Sequence, residues 1–236
     1  MAARTAREFA RATITRDILD AARARLAADG PAALSLRAVA RDVGMVSSAV
    51  YRYVPSRDAL LTTLLVECYD ELGAAVEDAE AAVPRGDHGA RWLAACRAVR
   101  TWCVTHRGEF TLLYGTPVPG YAAPQDTVEP AIRVVLALAR IAAEAREAAG
   151  GQGAPRAAAL PDVGALVAGA RDVVVQRGMP DPPAEVVARV LMAWSGLFGT
   201  ISFELFGHLN NAVSDPADWF DAVAVRLGCD AGVPAP

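Results

Sequence analysis

The chain has no lysine: all 23 basic residues among its 236 are arginine. Abundant Ala, Gly and Pro accompany that bias, a pattern that follows from GC-rich coding, so the arginine preference carries no functional meaning by itself. Cysteine is scarce, with Cys68, Cys96, Cys103 and Cys229 and no C-x-x-C. In a chain of this size such usage excludes a disulfide framework. There is no Glu-x-x-His pair, no Gly-x-Ser-x-Gly and no phosphate-cradling loop, which removes the commonest signatures of catalysis. Catalytic residues, a cofactor and a bound metal are therefore not expected. No cationic segment leads into an apolar run as in a secretory signal, so a cytoplasmic location is expected. The longest apolar stretch of note, Val190 to Phe203, spans 14 uncharged residues between Arg189 and Glu204. A membrane-spanning helix calls for roughly 18 or more, so no membrane partner is expected.

Hydrophobic residues make up 53% of the chain, ample for a large core. The net charge of −4 conceals an asymmetry. Residues 1–57 hold ten Arg and five acids, and residues 58–236 hold 13 Arg and 22 acids, giving +5 and −9. A basic head on an acidic body suits a head that meets a polyanion. A solvated arginine face has the same composition.

Apolar residues recur at helical rather than alternating spacing. Ile14, Ile18, Leu19, Ala22 and Leu26 predict a helix over 13–29, stopped by Gly30-Pro31. Ser35 is placed to cap a helix over 36–43 that Gly44 ends. A short helix over 46–54 is broken by Pro55-Ser56, and Ser56 can cap a long helix carrying Leu60, Leu61, Leu64, Leu65, Cys68 and Leu72. After a Pro84-Arg85-Gly86-Asp87 joint, helices are expected near 88–106, 108–115, 126–149, 161–177, 183–209 and 215–227. Gly150 to Ala159 reads as a flexible loop.

Within residues 36–53, Leu36, Val39, Ala40 and Val43 face inward, Gly44 makes a turn, and Val50 anchors the second helix. A small residue, a Gly four later and an aliphatic residue six after that is the helix-turn-helix spacing, in which the second helix enters the major groove. A purely structural helical corner has the same inner residues. The outward ones favour DNA: Arg37 and Arg41 on the first helix, and Ser47, Ser48, Tyr51 and Arg52 on the second, none of them required by a core.

The runs I-L-D-A-A-R-A-R-L-A-A-D-G, S-L-R-A-V-A-R-D-V-G and V-Y-R-Y-V-P-S-R-D-A-L-L resemble the tetracycline-repressor (TetR) family of bacterial regulators over about residues 13–65. The resemblance implies an all-α protein: a three-helix DNA-binding head, residues 1–57, on a larger helical ligand-binding and dimerisation bundle, residues 58–236. It makes Ser35 the cap of the second helix and Tyr51 a phosphate contact. Tyr53 falls where the family has His or Tyr, and Arg57 matches a Lys near the DNA backbone. Where the family often has Gly-Val-Ser-Lys-Gly-Thr-Leu-Tyr, this chain has Gly-Met-Val-Ser-Ser-Ala-Val-Tyr. Val46 replaces a polar cap and Ser47 a common Lys, leaving Ser48, Ala49 and Arg52 as candidate base readers. Trp194 to Gly199 and Glu204 to His208 resemble a WHG-type C-terminal domain found in one subgroup, with Phe198 where that domain has His.

Arg4, Arg7 and Arg11 form a candidate N-terminal arm toward a phosphate or minor groove; a disordered tail is the alternative. Trp92, Trp102, His106, Phe110, Tyr114, Met192, Trp194 and Phe198 are candidates to line an apolar ligand pocket, though plain core packing uses the same residue types. Ser195 and Gly199, four apart, with Ser202, Phe203 and Phe206 mark a close-approach seam for a dimer or for packing within one chain. Cys96, Cys103 and His106 share one helix side, which suits a soft metal or a redox role but equally a buried face. The composite expectation is a homodimeric regulator, a repressor, that binds a palindromic operator in double-stranded DNA and is released by a small molecule. The competing reading is a helical ligand- or protein-binding module that does not bind DNA.

Overall fold

The computed structural model describes residues 6–151, 160 and 162–236. Among them every regular element is helical: α1 (Ala6–Asp29), α2 (Leu36–Asp42), α3 (Ser47–Val50), α4 (Arg57–Ala81), α5 (His88–Thr105), α6 (Arg107–Tyr114), α7 (Val128–Ala131), α8 (Arg133–Ala148), α9 (Ala168–Gln176), α10 (Ala184–Leu205) and α11 (Pro216–Asp230), with 3-10 turns at Pro31–Ala33 and Gln125–Thr127. The fold is all-α.

Two compact units are present, residues 1–71 with 105–131 and residues 72–104 with 132–236. The first is built on one apolar cluster. Ile18, Ala22 and Leu26 of α1, Val39 and Ala40 of α2, Val50 of α3 and Leu60, Leu61 and Leu64 of α4 are all at most 1% exposed. Helix α6 joins this unit because Gly108 brings it against α1: a Cβ there would meet Ala27 N at 2.6 Å. Ser56 caps α4, its Oγ accepting from Ala59 N at 3.0 Å.

In the second unit α10 lies between α8 and α11. It is long and apolar enough to cross a membrane by length and composition. Its stripe Val190, Ala193, Leu197 and Ile201 is buried inside this unit, as expected of a core helix. Polar ties fasten α5 to its neighbours. Trp92 Nε1 donates to Ala224 O at 2.8 Å, Arg100 grips Glu204 at 2.6 and 2.8 Å, and Arg97 reaches Asp221. Fully buried Arg91 donates to Glu80 and Glu144.

Several boundaries differ from the expected ones. Helix α1 begins at Ala6 rather than 13, because Ala, Arg and Glu carry the helix past the last apolar position. Helix α3 is only Ser47–Val50; bonds such as Tyr53 N to Val50 O at 2.9 Å continue it as a tighter turn toward Pro55, which lacks an N–H and pushes Val54 out of the helix. The helix expected over 126–149 is divided, with a 3-10 turn at Gln125–Thr127, α7 ending at Ala131 and α8 beginning at Arg133. Helix α10 stops at Leu205, and α9 starts at Ala168. Of the expected loop, residues 152–159 lie outside the described residues, as does Arg4 of the arm.

Candidate nucleic-acid interface

The turn between α2 and α3 is set by Gly44, whose φ of +67° is left-handed backbone that a side chain would strain. Met45 N donates to Ala40 O at 2.8 Å and Gly44 N to Arg41 O at 3.2 Å, closing the last carbonyls of α2 in a Schellman arrangement. Ala40, fully buried, keeps the two helices close, and Val50, also fully buried, fastens α3 to the core. With these residues fixed inward, the helix period turns Ser47, Ser48, Tyr51 and Arg52 outward, and all four are exposed. Arg37 and Arg41 of α2 are exposed on the same unit. The face thus offers hydroxyls, one phenol and guanidinium groups, the donors that suit phosphates and base edges. Val46, 72% exposed at the N-cap of α3, adds an apolar tip to that face.

Other expected residues have different roles. Arg57 is a staple: its Nε donates to Leu34 O at 2.8 Å and its Nη2 to Ala32 O at 3.1 Å and Pro31 O at 3.3 Å. These bonds tie the start of α4 to the turn before α2, a structural role beside the expected backbone-contacting one. Ser35 stands at the N-cap of α2, but its side chain makes no capping bond. Ala49 and Tyr53 are half-buried, and Tyr53 packs on the core. Arg7 and Arg11 belong to α1 rather than to a loose arm.

Polar contacts between distant segments hold the head, and residue spacing gives no sign of them. Arg25 takes Asp42 in a two-pronged grip, and the guanidinium holds that carboxyl below its usual pKa range. Arg23 donates to both oxygens of Glu71 at 2.6 and 2.9 Å and to Glu67 at 3.3 Å, with buried Glu109 of α6 at 3.9 Å. Only the Arg and Glu content of these helices hints at such pairs.

The expected pocket residues divide between the units. Phe110 and Tyr114 stack at 5.8 Å in the first, where Tyr114 also meets Tyr69 edge-on at 6.0 Å and half-buried His106 precedes α6. In the second, Trp92 and Trp102 are buried, Trp92 with its N–H already bonded, so Trp92 is a packing residue rather than a lining one. Trp194 and Phe198 pair at 6.0 Å. Met192 is 51% exposed and points away from any interior. Two grooves of about 440 Å³ occur in this unit, one between α8 and residues 178–186 and one along α9, and none of the expected pocket residues lines either.

Of the expected seam, Ser195, Gly199 and Phe203 are exposed on α10, Phe206 is exposed at its C-cap, and Ser202 is half-buried. Gly199 looks onto open space, whereas neighbouring Gly196 faces Leu227 of α11. Burial pushes the Cys103 thiol up to about 12 and Cys96 higher still, so both stay protonated at neutral pH and are poor thiolate ligands.

Residues 18–64 match the family model "Bacterial regulatory proteins, tetR family", and residues 92–227 match "Tetracyclin repressor-like, C-terminal domain". Proteins named HTH-type transcriptional regulators in Mycobacterium bovis and Mycobacterium tuberculosis are 39% identical over 218 residues, 92% of this chain and 91% of theirs. A solved structure described as that of a regulatory protein shares 30% identity with a TM-score of 0.77, covering 94% of this chain and 98% of its own. A protein of unknown function from Rhodococcus sp. RHA1 shares 25% with a TM-score of 0.67, covering 91% and 93%.

Proposed function

The chain belongs to the TetR family of helix-turn-helix transcriptional regulators, and from that premise we propose that it acts as a cytoplasmic, homodimeric repressor released from a palindromic operator by a small molecule. The observation that carries the DNA-binding part is the exposed set Ser47, Ser48, Tyr51 and Arg52, held outward by buried Val50 and the Gly44 turn. Residues 1–57 serve as the DNA-binding part and 58–236 as the part for effector and partner subunit. Ser48, Ala49 and Arg52 are the base-reading candidates, and Tyr51, Arg37 and Ser47 the phosphate-side ones.

The dimer reading rests on α10 and α11. Met192, Ser195, Gly199 and Phe203 run along one exposed face of α10, continued by exposed Phe206 at its C-cap, and Trp219 of α11 is 45% exposed. An apolar stripe with small residues at its centre suits the isologous contact of two identical helix pairs. Effector binding in the body would release DNA only through different affinity for the two conformers. We assign no catalytic residue.

A gel shift on the intergenic DNA beside the chain's own gene tests this reading. A specific shift that weakens as salt rises, from counterion release, supports it. Absence of a shift there and with duplexes selected from random DNA would leave a helical module without DNA binding.

A further inference from the structure

The first two turns of α1 bury no side chain in the core. Residues 6–13 are all exposed, Phe9 among them at 69%, and the matched family segment begins only at residue 18. An exposed helix end with no apolar face to bury gains little from forming. The inward stripe of α1 explains its placement. Leu26, Ala22, Ile18 and Ile14 follow one another at steps of four toward the N-terminus, and the next positions on that side are Arg11 and Arg7. Where the helix runs past the core, arginine takes over the stripe that faced it.

Those arginines sit beside the end of the reading helix. Arg11 Nη2 donates to the carbonyl of Arg52 at 3.0 Å, and its guanidinium lies 5.7 Å from the centre of the Tyr53 ring. Arg7 is one turn further on the same side, exposed, with no hydrogen-bond or ion-pair partner among the described residues. Like charges four apart on a helix repel. A phosphate between or beside them removes that repulsion.

We infer that this turn of α1 is a second DNA contact outside the helix-turn-helix: Arg7 holds a backbone phosphate flanking the groove that α3 enters, and Arg11 is the positioning residue that locks the turn against Arg52 and Tyr53. The inference rests on the DNA-binding reading above. Its occupant is DNA because the patch is cationic and continuous with the exposed face of α3.

The test uses the full chain and a duplex enriched from random DNA, with affinity measured by anisotropy across a salt series and backbone protection read by hydroxyl-radical footprinting. Arg7→Ala is expected to lower the slope of log affinity against log salt by about 1 per head and to remove flanking protection, leaving the enriched motif and the melting temperature unchanged. Arg7→Lys should keep most of the slope. Arg11→Ala should lose the flanking protection too, and Arg11→Lys, which can still donate to the Arg52 carbonyl, should restore it. Unchanged slope and footprint in Arg7→Ala, while Tyr51→Phe still weakens binding, would overturn the second contact and leave the helix-turn-helix reading standing. A wild-type chain that enriches no duplex would overturn both.

Discussion

Arg25 holds both carboxylate oxygens of Asp42, with Nε 2.5 Å from Oδ2 and Nη2 2.9 Å from Oδ1. This grip joins α1 to the last residue of α2, directly before the turn that aims α3. It fixes the angle of the reading helix from a distance, so its loss should be visible in DNA binding as well as in folding.

Hydrogen bonding to Arg25 lowers the Asp42 pKa in the folded chain. The folded state therefore releases its proton more readily than the unfolded chain, whose Asp titrates near about 3.9. The resulting stability is complete above that value and is lost as pH falls through the lower folded one. Asp42→Asn should flatten the fall in melting temperature between about pH 5 and about pH 2. An identical acid profile in the variant would show that the pair makes no such contribution.

Gly44→Ala isolates the turn. A Cβ there meets nothing within 4 Å, so only the left-handed backbone at φ +67° is strained. A loss of about 1–2 kcal/mol is expected in chemical denaturation, without a change in the slope against denaturant. A neutral result would mean that the turn can relax to another backbone geometry.

Arg57→Ala separates a staple from a DNA contact. With its Nε and Nη2 bonded to three carbonyls of residues 31–34, Arg57 should affect stability of the head rather than the salt dependence of DNA binding. Tyr51→Phe, at an exposed phenol, should weaken DNA binding at unchanged stability and unchanged salt slope, because the uncharged hydroxyl displaces no counterion. A salt slope that drops in Arg57→Ala at unchanged stability would return Arg57 to the DNA surface.

Phe203→Glu and Phe206→Glu place charge on the exposed face of α10 and at its C-cap. Sedimentation should then give the monomer mass at micromolar concentration where the parent chain gives the dimer. A dimer that persists in the double variant would place the subunit contact elsewhere.

Much of the architecture was legible from residue spacing because the head is organised by apolar periodicity. Ala40, Gly44 and Val50 stand at fixed offsets, and the burial of Ala40 and Val50 and the Gly44 φ follow from those offsets. The membership of Phe110 and Tyr114 in the first unit was not legible, because α6 reaches that unit through Gly108 and through contacts with residues far away in sequence. The carbonyl bonds of Arg57 were not legible for the same reason: a guanidinium near a helix start suits a phosphate or a carbonyl equally, and its partners lie in the 31–34 turn. Met192 misled because its type suits a pocket, whereas its phase on α10 puts it with Ser195 on the outside.

The most direct measurement is selection of duplexes from random DNA by the full chain and, in parallel, by Arg52→Ala. The account expects the parent chain to enrich an inverted repeat with half-sites about 34–36 Å apart, one helical turn, and the variant to enrich a repeat altered at one position of each half-site. Enrichment of no motif by the parent chain, or of the same motif by both, would contradict the assignment of α3 as the element that reads DNA.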